Sequence, residues 1–153
     1  MKRDSKLSGV LHVLLHMLGS KTPATSEHLA LMMGTNPVVV RRVMAGLREQ
    51  GFVTSAKGHG GGWLIACDPA TVTLADIYAA VGEPPVIAMG HRSEAPGCLV
   101  EQAVNRALND TFREVEDVFV KHLKAVTLAD LSKDFNRRLA ARGLTKESQT
   151  HAL

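Results

Sequence analysis

The chain has 153 residues, of which 45% are hydrophobic and 22% charged, with a net charge of +3 and a pI of about 9.1. This length suits one domain or one domain with an extension, and the mildly basic balance is compatible with nucleic acid. No apolar run approaches the roughly 20 residues of a bilayer span, so we expect no membrane segment, and we predict no signal peptide. Two cysteines, Cys67 and Cys98, are too few for a disulfide framework, and we expect a cytoplasmic location.

The first third of the chain carries three helical patterns. Residues 7–18 place leucine and valine at helical spacing and predict the first helix. A second helix, SEHLALMM, follows the N-cap residue Thr25. The third helix is expected to have Asn36 as its N-cap and Pro37 in its first turn, and to run to about Gln50. The short turn between the second and third helices makes this pair a helix-turn-helix.

Two short strands, FVTSAK and WLIAC, flank the glycine-rich stretch GHGGG and predict a β-hairpin. A hairpin directly after a helix-turn-helix is the wing of a winged helix, in which the third helix enters the major groove and the wing tip touches the backbone or minor groove. Residues 35–63 contain four basic side chains against one acid, Glu49, as expected of a phosphate-binding surface. The basic side chains are Arg41, Arg42, Arg48 and Lys57.

Two copies of the quartet TLAD, at 73–76 and 127–130, predict capping boxes that open helices. Between them lie a proline- and glycine-rich loop, 82–97, and a long helix at about 98–125. The predicted fold class is mainly α with a small β-hairpin wing, a winged helix-turn-helix followed by a long dimerisation helix. The predicted domains are a DNA-binding winged helix at 1–82, a linking and sensor loop at 83–97, the dimerisation and C-terminal helices at 98–142, and a flexible tail at 143–153.

Three motifs follow the helix-turn-helix: Gly-Phe-Val at 51–53, Lys-Gly-x-Gly-Gly-Gly-aromatic at 57–63 and Thr-Leu-x-Asp-Ile at 73–77. In this order, they resemble the Rrf-two family of bacterial winged-helix transcription regulators. The resemblance covers about residues 5–131. It implies a homodimeric DNA-binding regulator, most simply a repressor of a near-palindromic operator, whose long helix at 98–125 packs against the partner's copy.

The resemblance also implies a DNA-binding surface at the start of the third helix, on its arginines and at the wing. Lys57 stands where the family usually has an arginine that enters the minor groove, and His59 stands where proline is common. Val38 and Arg41 differ from the residues of a cluster-binding member, so the preferred DNA sequence is expected to differ too. The predicted DNA-binding residues are Asn36, Pro37, Val38, Val39, Arg41, Arg42, Arg48, Lys57, His59 and Gly60.

Cluster-binding members of the family carry three cysteines around the start of the long helix, whereas this chain has only Cys98 there. A [2Fe–2S] cluster needs four protein ligands, and Cys98 with His91 supplies two at most, so we expect no cofactor and no metal. Cys98 opens a helix, whose partial positive charge lowers the pKa of a thiol. We therefore predict a redox or electrophile sensor at Cys98, the alternative being an inert helix-cap residue, and a packed structural role for Cys67.

Three other interpretations remain open. The first keeps the fold and makes the chain a metal-sensing or iron–sulfur-sensing regulator. His12 and His16 have the i, i+4 spacing of two metal ligands, but we interpret them as a solvated or packed pair. The second is an enzyme with a phosphate-cradling glycine loop. We expect no enzyme, because a P-loop needs G-x-x-x-x-G-K-[ST] before a helix and here a strand follows the glycines. The third is an interaction module that does not bind DNA.

Overall fold

A computed structural model describes residues 5–93 and 97–146, which form six helices and one two-stranded hairpin. This order confirms the predicted fold class, a mainly α winged helix-turn-helix with a small hairpin and a long C-terminal helix. Most of the predicted tail, residues 147–153, lies outside the described residues. The elements are α1 (Lys6–Met17), α2 (Ser26–Met33), α3 (Pro37–Glu49), β1 (Val53–Ala56), β2 (Gly62–Ile65), α4 (Leu74–Ala80), α5 (Leu99–Lys124) and α6 (Leu128–Ala141).

Local sequence signals set the ends of the helix-turn-helix. Thr25 caps α2 through its side chain. At the start of α3, the side-chain oxygen of Asn36 accepts hydrogen bonds from the backbone N–H groups of Val38 and Val39, at 3.0 and 3.1 Å. Gly51 follows α3 with a φ of +76°, a conformation that favours glycine and turns the chain directly into β1. These caps confirm the predicted boundaries of both helices to within one residue.

The hairpin is antiparallel, with Val53 opposite Ile65. Both strands are shorter than the segments FVTSAK and WLIAC that predicted them. In particular, β2 ends at Ile65, so Cys67 lies beyond the strand and does not end it. The reason is the turn that follows, in which the Asp68 carboxylate accepts a hydrogen bond from the Ala70 N–H at 2.9 Å.

The two TLAD quartets form complete capping boxes at the starts of α4 and α6, as predicted. In the second box, Thr127 Oγ1 accepts from the Asp130 N–H at 3.1 Å, and the Asp130 carboxylate accepts from the Thr127 N–H at 2.9 Å. The quartets also lie side by side, because Thr73 and Thr127 form an antiparallel β-bridge. The Leu128 N–H donates to the carbonyl of Val72 at 3.0 Å. These bonds fix the start of α6 to the winged helix.

A single hydrophobic cluster joins α1–α4, the hairpin and the first residue of α6. The hydrophobic core therefore includes Leu128 of α6 as well as residues of the winged helix. The domain boundaries expected from the sequence remain predictions. Cys67 packs beside this cluster and is half-buried; burial raises the pKa of its thiol, which agrees with a structural role. The most completely buried side chains are Val10, Val13, Leu14, Leu29, Val40, Met44, Leu47, Val53, Ile77 and Leu128.

The long helix α5 is different, because none of its 26 residues, all of which the structure describes, is buried. One contact with the winged helix is aromatic: Tyr78 of α4 meets Phe119 edge to face, with ring centroids 5.4 Å apart. The loop before α5 folds back onto it, and the Asn105 amide donates to the carbonyl of Ser93 at 2.8 Å. Neither α5 nor any other helix in the described residues combines the length and apolar composition of a bilayer span.

Candidate nucleic-acid interface

The outer face of α3 is exposed because its opposite face belongs to the core. Val40, Met44 and Leu47 are fully buried, which fixes the rotation of the helix. The residues on the other side of the helix, among them Val38, Arg41 and Arg42, therefore point away from the core. Among these, Val38 in the first turn is 61% exposed, an unusual position for a β-branched apolar side chain. Arg42 is exposed beside this face, so α3 offers both an apolar and a cationic group to a partner.

The three arginines of α3 have different surroundings. A carboxylate oxygen of Glu27, in α2, lies 2.7 Å from Arg41, and both side chains are more than half exposed. The guanidinium of Arg48 lies over the ring of Trp63, 5.9 Å from its centroid, and so rests against the base of the hairpin. Arg42 has no hydrogen bond or ion pair among the described residues. Arg42 is therefore available to bind a phosphate, whereas Arg41 must first leave Glu27.

The hairpin loop, residues 57–61, forms the wing tip and owes its glycines to backbone geometry. Gly58 and Gly60 have φ angles of +89° and +75°, which side-chain-bearing residues rarely adopt. A Cβ on Gly61 would lie 2.4 Å from the carbonyl oxygen of Ala56. The tight turn alone thus accounts for these glycines, and β2, not a helix, follows them.

Two side chains of the wing tip, Lys57 and His59, are exposed. Neither makes a hydrogen bond or an ion pair within the described part of the chain. Gly60, between them and β2, is also exposed. The wing tip therefore presents one positive charge, one imidazole and an exposed stretch of backbone.

The base of the wing is fixed to the start of α2 by Trp63. Its indole Nε1 donates to Ser26 Oγ at 3.0 Å in a buried position. Its backbone N–H and carbonyl pair with those of Ala24 at 2.8 and 2.9 Å, as a short third strand. A Cβ on Gly62 would lie 2.5 Å from the Ala24 carbonyl oxygen, so only glycine fits there. No signal in the sequence indicates Ala24 as the partner of Trp63.

Cys98 is the N-cap residue of α5 and is exposed. The backbone N–H groups of Glu101 and Val100, at the start of the helix, lower the pKa of its thiol. This is the direction that the sequence predicted for a thiol at a helix N-terminus. In the loop before α5, Arg92 has a nitrogen 3.9 Å from a carboxylate oxygen of Glu101. Cys98 therefore combines access with a lowered pKa, the two properties that favour oxidation of a thiol.

His91 does not join Cys98, although the two are close in sequence. Its Nε2 lies 2.8 Å from the side-chain oxygen of Asn109. Asn109 is 11 residues after Cys98, which corresponds to about 16 Å along a helix. The loop therefore carries His91 down the helix, and the pair of ligands considered from the sequence is not assembled.

The donor atoms of a single chain do not fit an iron–sulfur cluster. Cys67 and Cys98 are its only cysteines, and they lie at opposite ends of the segment that contains α4. The described residues contain no group of three or more His, Cys, Asp or Glu side chains able to hold a metal ion. The Nε2 atoms of His12 and His16 lie 3.0 Å apart, within hydrogen-bonding distance of each other. Within the described part of the chain, the four ligands that a cluster requires are not brought together.

An exposed, basic second helix of a helix-turn-helix, followed at once by an exposed basic wing, defines a winged-helix DNA-binding regulator. The chain belongs to the Rrf2 family: residues 3–134 match the model of this family, which is described as iron-dependent transcriptional regulator. This match confirms the resemblance drawn from the wing motif. It also confirms that the chain is a transcriptional regulator and not an enzyme, so the phosphate-cradle interpretation of the glycines is wrong.

Individual relatives agree with this assignment. YwnA of Bacillus subtilis, named as an HTH-type transcriptional regulator, is 31% identical over 128 residues, which cover 84% of this chain and 95% of YwnA. The HTH-type transcriptional regulator IscR of Vibrio vulnificus is 27% identical over 142 residues, covering 88% and 79%. A crystal structure from Lactobacillus plantarum, named as that of a transcriptional regulator, superposes with a TM-score of 0.72 at 23% identity, covering 88% and 92%. At that identity, the last comparison supports the fold alone.

Proposed function

We propose that this chain is a homodimeric repressor that binds a near-palindromic operator through α3 and the wing tip and responds to oxidation at Cys98. The observation that carries the proposal is the shared exposure of the α3 face and the wing tip, with cations on both. Their mutual position is fixed, because Trp63 ties the wing to the start of α2. Two surfaces held rigidly in this way can bind one groove of duplex DNA and the adjacent sugar–phosphate backbone at the same time.

The DNA-binding residues take different roles in this proposal. Arg42 and Lys57 bind phosphates, since neither has a partner in the described chain. Val38 contacts a thymine methyl group, because an exposed apolar side chain at the start of a recognition helix has that use in the major groove. Asn36 acts indirectly: its oxygen is occupied by two backbone N–H groups, so it shapes the first turn of α3. Arg41 exchanges Glu27 for a phosphate on binding.

The other proposed DNA-binding residues support this surface. Pro37 and Val39 are half-buried, so they hold the first turn of α3 in place and expose only part of their side chains. Arg48 lies over Trp63 and links the end of α3 to the wing. His59 and Gly60 bring the wing tip close to the DNA backbone.

Dimerisation is proposed through α5, whose 26 residues extend about 39 Å. One stripe of this helix is apolar, and no described residue of the chain covers it. A contiguous exposed apolar surface of this kind is typical of an interaction site. A second copy of α5, related by two-fold symmetry, would cover this stripe with its own. The exposed apolar residues of the helix are Leu99, Val100, Val104, Leu108, Val115 and Val118.

Val104→Asp tests the dimer. We expect the variant to be monomeric in analytical ultracentrifugation at concentrations where the unmodified protein is a dimer, because a charge would be buried in the interface. Arg106→Asp is the matched control, since residue 106 lies about 200° around the helix from residue 104. A dimer that survives Val104→Asp unchanged would place the interface elsewhere.

The redox response follows from the position of Cys98 at the end of this helix. A peroxide oxidises two Cys98 thiols, one from each protomer, to a disulfide. The thiols lose two protons and two electrons in total. The peroxide is reduced to two water molecules or, if it is an organic peroxide, to one water and one alcohol. The lowered pKa of Cys98 increases its thiolate fraction and supports this step. Joining the ends of the two α5 helices would change the separation of the two α3 helices and so weaken operator binding.

In vitro selection of DNA sites, carried out in parallel with reduced and peroxide-treated protein, tests the whole proposal. We expect the reduced protein to enrich one near-palindromic sequence and the oxidised protein to enrich it far less. Cys98→Ser is the control, and it should enrich the sequence under both conditions. No enriched sequence would refute specific DNA binding. Equal enrichment by both forms of the unmodified protein would refute the redox response and leave the DNA-binding proposal standing.

A further inference from the structure

We propose that Glu27, in the first turn of α2, is a specificity-determining residue that prevents Arg41 from attracting DNA of any sequence. Glu27 binds no DNA in this proposal and acts through Arg41 alone. The inference rests on the proposed binding of an operator by α3. It adds to that function a residue whose negative charge would not by itself suggest a role in binding DNA.

The ion pair joins the two helices of the helix-turn-helix on their exposed side. A carboxylate oxygen of Glu27 lies 2.7 Å from a terminal guanidinium nitrogen of Arg41, and the two side chains are 64% and 54% exposed. The packing of α2 against α3 does not depend on this contact, because both helices bury apolar residues in the core, among them Leu29 and Met44. An exposed ion pair contributes little to stability, so its main effect is on the charge of the surface.

Glu27 cancels the charge of one arginine of α3 and leaves the other two. Arg42 has no ion pair among the described residues, and Arg48 rests on the uncharged ring of Trp63. A phosphate that approaches Arg41 also meets the carboxylate of Glu27, because the two charges are much closer together than the Debye length of about 8 Å at physiological ionic strength. The pair therefore has no net charge toward a duplex, and Arg41 adds little to the attraction of DNA.

Operator DNA and other DNA differ in what they offer Arg41. Binding without sequence preference is driven by counterion release and depends on the number of cations that the protein brings to the phosphates. In the operator complex, contacts with base edges hold α3 in the major groove, and a phosphate replaces Glu27 at hydrogen-bonding distance from Arg41. Glu27 therefore weakens binding to other DNA more than it weakens binding to the operator.

The test is Glu27→Gln, which removes the charge and keeps the length of the side chain. Fluorescence anisotropy gives the affinity at several salt concentrations for the selected operator and for a random-sequence duplex of the same length. On the random duplex, we expect the slope of log affinity against log salt concentration to steepen by about 1.8, because each Arg41 of the proposed homodimer gains one phosphate contact. Between about 200 and 50 mM salt, the ratio of variant to unmodified affinity for this duplex should then rise about twelvefold. On the operator, the slope should change much less, because Arg41 already binds a phosphate there.

Glu49→Gln is the matched control, because it removes the same charge from an exposed residue that has no ion pair in the described part of the chain. Glu49 is eight residues after Arg41, which corresponds to about 12 Å along α3. This control should leave the difference between the two slopes unchanged. In an Arg41→Gln background, Glu27→Gln should have no more effect than Glu49→Gln. An equal effect of the two glutamate variants, or an effect of Glu27→Gln that persists without Arg41, would overturn the proposal.

Thermal midpoints check that every variant is folded, and the two outcomes that matter for the proposed function differ. If the unmodified protein prefers the operator and Glu27→Gln leaves both slopes unchanged, the role of Glu27 is overturned and the proposed function stands. If selection enriches no operator and Glu27→Gln still steepens the slope on the random duplex, the proposed operator binding is overturned. The neutralisation of Arg41 by Glu27 would then be supported, and its role in specificity would be overturned.

Discussion

Lys57→Ala isolates one electrostatic contact between the wing tip and DNA. Lys57 is exposed, has no partner among the described residues and follows the last residue of β1. Removing its side chain deletes no contact of the core and leaves the glycine-determined turn after it intact. We therefore expect the variant to fold like the unmodified protein and to keep its oligomeric state, with a change confined to DNA binding.

The size of this change can be worked out from the number of phosphates released. Each phosphate contact contributes about 0.9 to the slope of log affinity against log salt concentration on duplex DNA. The proposed homodimer carries two copies of Lys57, so the slope should become less steep by about 1.8. Between about 50 and 200 mM salt, a fourfold range, the affinity ratio of unmodified to variant protein should then fall about twelvefold.

Fluorescence anisotropy with the selected operator, measured at four or more salt concentrations, provides the slope. Lys133→Ala, which removes an exposed lysine from α6, is the control and should retain the slope of the unmodified protein. Sedimentation and the thermal midpoint establish that both variants are folded dimers. An unchanged slope in Lys57→Ala would refute the phosphate contact. A slope that changes equally in both variants would show that the effect is net charge and not position.

Four further predictions concern stability and the thiol. Asn36→Ala should lower the free energy of unfolding in urea by about 1 kcal/mol, since two capping hydrogen bonds are lost; no change would show that α3 does not need this cap. Leu128→Ala should cost about 2–5 kcal/mol in the same assay, and a smaller cost would separate α6 from the core. The pKa of Asp130 is lowered mainly by the backbone N–H of Thr127, so its contribution to stability is present at neutral pH and is lost on acidification below about pH 4. Between neutral pH and pH 2, the thermal midpoint of Asp130→Asn should therefore fall less steeply than that of the unmodified protein. Parallel plots of thermal midpoint against pH for the two proteins would contradict this. Cys98 should react with iodoacetamide faster than free cysteine at neutral pH, whereas a slower reaction would refute its activation.

The parts of the fold that the sequence predicted are those encoded within a few residues. Asn36 and Pro37 identify the start of α3, because an N-cap and a first-turn proline act on the adjacent backbone alone. The two TLAD quartets identify the starts of α4 and α6 for the same reason. The wing could be predicted because its glycines have a local cause, the positive φ angles of the turn.

The contacts that sequence reasoning missed all join residues far apart in the chain. The sequence predicts both Arg41 and Arg48 as DNA-binding residues, but Arg41 pairs with Glu27 and Arg48 rests on Trp63. His91 was considered with Cys98 because the two are close in sequence, yet the loop carries it to a later turn of α5. Each of these outcomes depends on how two elements pack, and neither residue spacing nor composition carries that information.

The two ends of α5 are held unequally, and this bears on how a signal at Cys98 could reach the DNA-binding surface. At the C-terminal end, Leu128 of the adjoining α6 is fully buried in the core, and Phe119 packs on Tyr78. At the N-terminal end, Cys98 is exposed, and the preceding loop is held by hydrogen bonds to Asn105 and Asn109 and by the ion pair between Arg92 and Glu101. A new bond at Cys98 would therefore displace the weakly held end while the other end remains attached to the winged helix. Because α5 is one continuous helix, that displacement would turn the winged helix as a rigid unit, and we expect oxidation to alter the spacing of two α3 helices without altering the fold of either.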